Sequence, residues 1–164
     1  MTTKHLLGFA LLLATSVSCC NQHEETCQWT PAGDKIMTSW AEQVDPANVL
    51  PEYPRPQLVR GEWQNLNGLW DYAITEKDAK PETYEGKILV PFAAESALSG
   101  VGRSVTEKDA LWYSREFRVP RQWKGRRVML NFGAVDWHAQ VYVDGQFVGE
   151  HKGGYDPFSF DVTD

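Results

Sequence analysis

The sequence predicts an all-β fold, an antiparallel β-sandwich or jelly roll. Three observations predict it. From Gly68 onward, short apolar or alternating runs are separated by Gly, Pro and Asp, the pattern of short strands between turns. Two of these runs flank Asp144-Gly145, a pair that asks for a tight type I′ turn with φ > 0 at both central residues. No segment after Gly61 repeats its apolar residues at helical spacing.

The first elements lie outside that fold. Lys4 and His5 form a short basic segment, Leu6 to Ala14 an apolar one, and Thr15, Ser16 and Ser18 lead to Cys19 and Cys20. This order is that of an export signal, and a Cys after small residues resembles a bacterial lipoprotein signal. The resemblance implies cleavage near residue 19 and lipid attachment at Cys19, or alternatively Cys20; an ordinary secretory signal with incidental cysteines is the competing reading. Residues 20–59 then read as a polar tether and a Pro-rich arm. Met37 to Val44 reads as a short helix capped by Thr38 or Ser39, with Pro46 beyond its end. Pro51-Glu-Tyr-Pro-Arg-Pro56 reads as extended, because each proline fixes φ and biases its predecessor away from the helix. It is either a linker or an arm anchored by Tyr53 and Leu58.

Residues 60–164 form the expected domain. Its strands are Leu69 to Ile74, Lys87 to Val90, Leu111 to Val119, Val128 to Phe132, Gln140 to Val143, Gln146 to Val148 and Phe158 to Val162. Val162-Thr163-Asp164 follows directly on the last strand. A sandwich covers its edges with further strands, so the jelly roll is expected to be incomplete at its C-terminal end.

Composition narrows the partners. The chain has 164 residues and a net charge of −6, which excludes the basic footprint of a nucleic-acid binder. The cluster Lys124-Gly-Arg-Arg127 is short and reads as the turn before the next strand. No stretch approaches the roughly 20 apolar residues that span a bilayer, so any membrane contact is expected only through a lipid anchor. All three Cys precede Gln28; a disulfide framework for the domain is excluded, and no metal-ligand spacing is present. Cys27 reads as a spare thiol, with a short-loop pairing to Cys20 as the alternative. Seven Trp, six Tyr and seven Phe suit strands, cores and sugar-facing surfaces alike.

A resemblance emerges at Leu66-Asn-Gly-Leu-Trp70. It continues in order through Val90-Pro-Phe92, Trp112-Tyr-Ser-Arg-Glu-Phe117, Val128-Met-Leu-Asn-Phe-Gly-Ala-Val135, Val141-Tyr-Val-Asp-Gly-Gln-Phe-Val-Gly149 and Gly153-Gly-Tyr-Asp-Pro-Phe-Ser-Phe-Asp-Val-Thr163. These six blocks resemble the N-terminal sugar-binding domain of glycoside hydrolase family 2, which includes β-galactosidases, β-glucuronidases and β-mannosidases. The resemblance implies a jelly roll of the galactose-binding-domain type. It also implies an enzyme of carbohydrate metabolism acting on β-linked glycosides, with an immunoglobulin-like domain and a catalytic barrel as missing downstream partners; the N-terminal signal adds that it is exported. Glycoside hydrolysis uses two carboxyl groups, about 5 Å apart in retaining enzymes, and the family carries both on the barrel. Glu62, Glu82, Glu95 and Glu116 are isolated and read as solvated surface charges. The chain alone is therefore expected to have no catalytic residues, no cofactor, no metal and no activity.

Candidate sugar contacts are Asp136, Trp137 and His138, together with Tyr155 and Asp156. A Trp face stacks on sugar C–H groups, and Asp and His bond hydroxyls. The favoured competing reading makes Trp137 core, Asp136 turn chemistry and Tyr155-Asp156 loop shape. The expected location is that of an exported lipoprotein, periplasmic or at the cell surface. Beside the enzyme-domain reading stand two others: a free-standing carbohydrate-binding lipoprotein, and a purely structural domain. The particular glycoside is left open.

Overall fold

The computed structural model describes residues 29–33 and 35–163. The signal segment and the cysteines lie outside the described residues. Among those described, the structure is all-β and antiparallel, with seven strands and four single-turn 3-10 segments. It divides into two compact units, 29–50 with 67–112, and 51–66 with 113–163.

In the first unit, β1 (Gly68–Glu76) lies between β2 (Gly86–Val90) and β3 (Asp109–Ser114). β1 and β2 are antiparallel, with Leu69 opposite Leu89 and Asp71 opposite Lys87. That register places the Lys87 ammonium 2.7 Å from the Asp71 carboxylate. Ile88 and Leu89 are adjacent in sequence, point to opposite faces, and are both fully buried. Ala73, Ala94, Ala97, Val49 and Ala41 complete this core. Buried Ser99 meets its polar requirement internally: its hydroxyl donates to the carbonyls of Ala94 and Ser96 and accepts from the Val101 N–H. Residues 29–33, read above within the polar tether, dock here. The Ala32 N–H donates to the Ala97 carbonyl at 2.8 Å, and Trp29 lies where a side chain on Gly100 would project.

The second unit holds two antiparallel pairs. β4 (Met129–Phe132) pairs with β7 (Phe158–Asp161), and β5 (His138–Val143) pairs with β6 (Gln146–Lys152). The predicted hairpin is present: Asp144 has φ 49° and Gly145 φ 77°. Phe132 stacks on Phe158 across the β4–β7 pair at 4.8 Å. Phe160 packs so closely on Gly149 of β6 that no larger residue fits there.

Three expectations are corrected. The short helix over Met37 to Val44 is a single 3-10 turn, Ala41–Gln43, whose cap position is Trp40 without a side-chain bond. One turn cannot repay the entropy of starting an α-helix, and the proline at 46 prevents extension. The strand over Leu111 to Val119 ends at Ser114. Beyond it, Arg115 donates to the Leu66 carbonyl at 3.0 Å, while Phe117 and Val119 are exposed. The proline arm is not uniformly extended: it closes a 3-10 turn at Pro56–Leu58. Tyr53 anchors edge-on against Trp63 at 4.8 Å, whereas Leu58 is exposed.

Candidate functional site

The end of the β5–β6 hairpin opposite its tight turn gathers the candidate residues. β5 begins at His138, and its antiparallel register sets His138 opposite Lys152 and Ala139 opposite His151. Asp136 and Trp137 lead into β5, and Gly153 follows β6, so pairing brings the two flanking loops together. The Gly153 N–H donates to the Trp137 carbonyl at 2.7 Å. A side chain on Gly154 would strike the Asp136 carboxylate, 2.5 Å from its Cβ position. The second loop can lie this close only because residues 153 and 154 carry no side chain.

Asp136, Trp137, His138, Tyr155 and Asp156 thus lie on adjoining backbone, within one unit. Trp137 is 63% exposed and Tyr155 97%, so neither ring is core. The His138 ring nitrogen Nε2 lies 3.0 Å from Glu150 Oε2 across the hairpin. That imidazole beside Glu150 is the largest influence holding its carboxyl below the usual carboxylate range; desolvation opposes the shift and Lys152 aids it. On the other face His151 stacks on Phe158 at 4.2 Å. Its Nε2 stands 3.2 Å from Asp156 Oδ2, yet that atom is sealed from solvent without a hydrogen bond of acceptable geometry. Distance pairs the two groups while direction leaves the bond unmade.

Chemically, this surface offers two exposed rings and several carboxyl and imidazole groups. Stacking and hydroxyl recognition are within its means. Of the isolated glutamates, Glu62 binds Arg126 and Glu95 accepts from the Val105 N–H at 3.1 Å. Glu150 and His151 were missed in the sequence reading, which ended the strand at Val148. Their signal was faint: Glu150-His151-Lys152 are all polar and show no apolar alternation, and only the Gly-Gly pair after Lys152 marks where the strand can stop.

Residues 100–164 match the family described as glycosyl hydrolases family 2, sugar binding domain. The chain carries the family 2 sugar binding domain over these residues. Relatives of the family 2 domain agree. A stretch of 118 residues is 32% identical to a β-glucuronidase of Paenibacillus borealis, covering 68% of this chain and 20% of that protein. Another of 53 residues is 53% identical to a β-galactosidase of Thermoanaerobacter pseudethanolicus, covering 32% of this chain and 7% of that protein. Among solved structures, a β-glucuronidase from Ruminococcus gnavus in complex with uronic deoxynojirimycin superposes with a TM-score of 0.50 at 24% identity. The match covers 64% of this chain and 20% of that one, and at that identity it speaks for the fold alone. The chain spans about a fifth of the length of the β-glucuronidases of Paenibacillus borealis and Canis lupus familiaris that it matches.

Proposed function

We propose that this chain is the carbohydrate-binding accessory part of an exported family 2 glycoside hydrolase acting on β-linked glycosides, with the catalytic barrel lying outside residues 1–164. The observation that carries the binding role is the placement of Trp137. Its ring is largely exposed and its backbone is pinned to the loop that presents Tyr155. An indole held out on a fixed backbone loses little freedom when a sugar face stacks on it. Asp136, His138 and Asp156 are the hydroxyl partners in this reading. The relatives' β-glucuronidase and β-galactosidase names support β-glycosides as the ligand class.

The purified protein tests this with nitrophenyl β-glucuronide, β-galactoside and β-mannoside. The expected result is binding without turnover, read as perturbed Trp137 indole and Tyr155 NMR signals. Binding should weaken about ten-fold in Trp137→Ala, the scale of one lost aromatic contact. If none of the three glycosides perturbs either ring, the binding role fails. Sustained turnover that disappears when one glutamate within 60–164 is replaced would show that the chain carries its own catalytic site.

A further inference from the structure

We infer that His151 is the positioning residue of this loop, setting the placement of Tyr155 through a protonation-dependent pairing with Asp156. The inference rests on the saccharide reading of Trp137 and Tyr155 only for its consequence in binding; the loop geometry stands independently.

His151 occupies the inward face of β6. Its ring is clamped by Phe158 on one side, and its Nε2 reaches the position a side chain on Gly153 would fill. Gly153 has φ 139°, a backbone state side-chain-bearing residues rarely adopt. Asp156 Oδ1 approaches the same vacant Cβ position. Ring, glycine and carboxylate therefore meet at one point, and the chain between Gly153 and Asp156 is a short arch carrying Tyr155 at its crest.

The state of Nε2 decides how firmly that arch is held. A protonated ring always carries a hydrogen at Nε2, and it sets a positive charge beside the Asp156 carboxylate, 3.2 Å away. A neutral ring has no net charge there, and one of its two tautomers leaves Nε2 with a lone pair and no hydrogen. The pairing is therefore strongest while the ring is protonated and the carboxylate ionised, and it weakens once the ring is neutral. The other charged groups nearby are accounted for. Glu150 and Lys152 alternate to the opposite face of β6, where Glu150 bonds His138. Asp136 lies against Gly154, Ala139 is opposite His151 on β5, and β7 presents the Phe158 ring. Asp156 is 63% exposed, so its replacement disturbs no core packing.

Hydrogen exchange of the Gly154, Tyr155 and Asp156 amides, corrected for intrinsic rates, is compared at about pH 5.5 and about pH 8, on either side of the usual histidine range. Protection in the parent protein should fall about three- to five-fold at the higher pH, the scale of one partly exposed ion pair. Asp156→Asn and His151→Gln should each abolish that dependence. Melting curves establish that the variants fold; if His151→Gln does not, Asp156→Asn carries the test. Protection that does not change with pH, or that changes equally in parent and Asp156→Asn, overturns the inference. Glycoside affinity measured at both pH values separates the two readings. Affinity that weakens in step with protection supports both. A pH-dependent arch that binds no glycoside upholds the role of His151 and removes the saccharide reading.

Discussion

Single residues set the closest approaches in this protein. Gly149 is the sharpest case, because a Cβ there would fall on the Phe160 ring. The β5–β6 register slips between Val141 and Tyr142, and this bulge lies beside the glycine, so β6 passes under Phe160 with no slack. Gly149→Ala should therefore cost about 1–3 kcal/mol through overpacking and lower the melting temperature by about 3 °C or more. Adding Phe160→Leu, which shortens the facing side chain, should restore part of the loss. An unchanged melting temperature in Gly149→Ala would mean that Phe160 moves aside freely. Gly145 differs in kind: its position is open and its constraint is the positive φ of a tight turn.

Among the elements, β1 is held from both sides by groups that sequence spacing does not connect. The Trp112 indole of β3 donates to the Thr75 hydroxyl at 3.0 Å, and Glu85, just before β2, accepts from the Ile74 N–H at 2.7 Å. That N–H is the main influence holding the Glu85 carboxyl below its ordinary range; desolvation opposes it and the Arg103 guanidinium adds to it. A depressed carboxylate stabilises the fold above its unfolded pKa, and the contribution disappears as pH falls through its folded value. Glu85→Ala should thus lower stability by about 1 kcal/mol at neutral pH, the lower range for a bond to a charged but partly exposed group. The gap between parent and variant should close on acidification below the usual carboxylate range of about 4 to 5. A gap that persists unchanged to about pH 3 would show that Glu85 acts through packing and not through charge.

At the scale of the whole molecule, the export reading meets the family. The basic, apolar, small-residue and Cys order of residues 4–20 supports a lipid anchor as the proposed attachment. Expression in a bacterium fed a labelled fatty acid should give a labelled protein, and replacing both Cys19 and Cys20 by Ala should remove the label. Label retained in the double variant sinks the proposal. An anchored protein places its ligand on the outer side of the membrane, consistent with the proposed β-glycoside partner.

The sequence by itself determined the antiparallel all-β class, the Asp144-Gly145 turn and five of the seven strands closely, because alternation and turn chemistry act between neighbours in the chain. It also carried the family, through six short blocks in order. What depended on distant partners was not legible. The strand beginning at Leu111 stops at Ser114, since strand length depends on what lies alongside. Trp137 reads more readily as core, and only the hairpin register, which brings Gly153 to its carbonyl, leaves the ring outside. Likewise, nothing in the spacing of His151 and Asp156 reveals that a positive φ at Gly153 folds one onto the other. Pattern is written residue by residue, whereas exposure and pairing are properties of two stretches at once, and only the tertiary structure decides those.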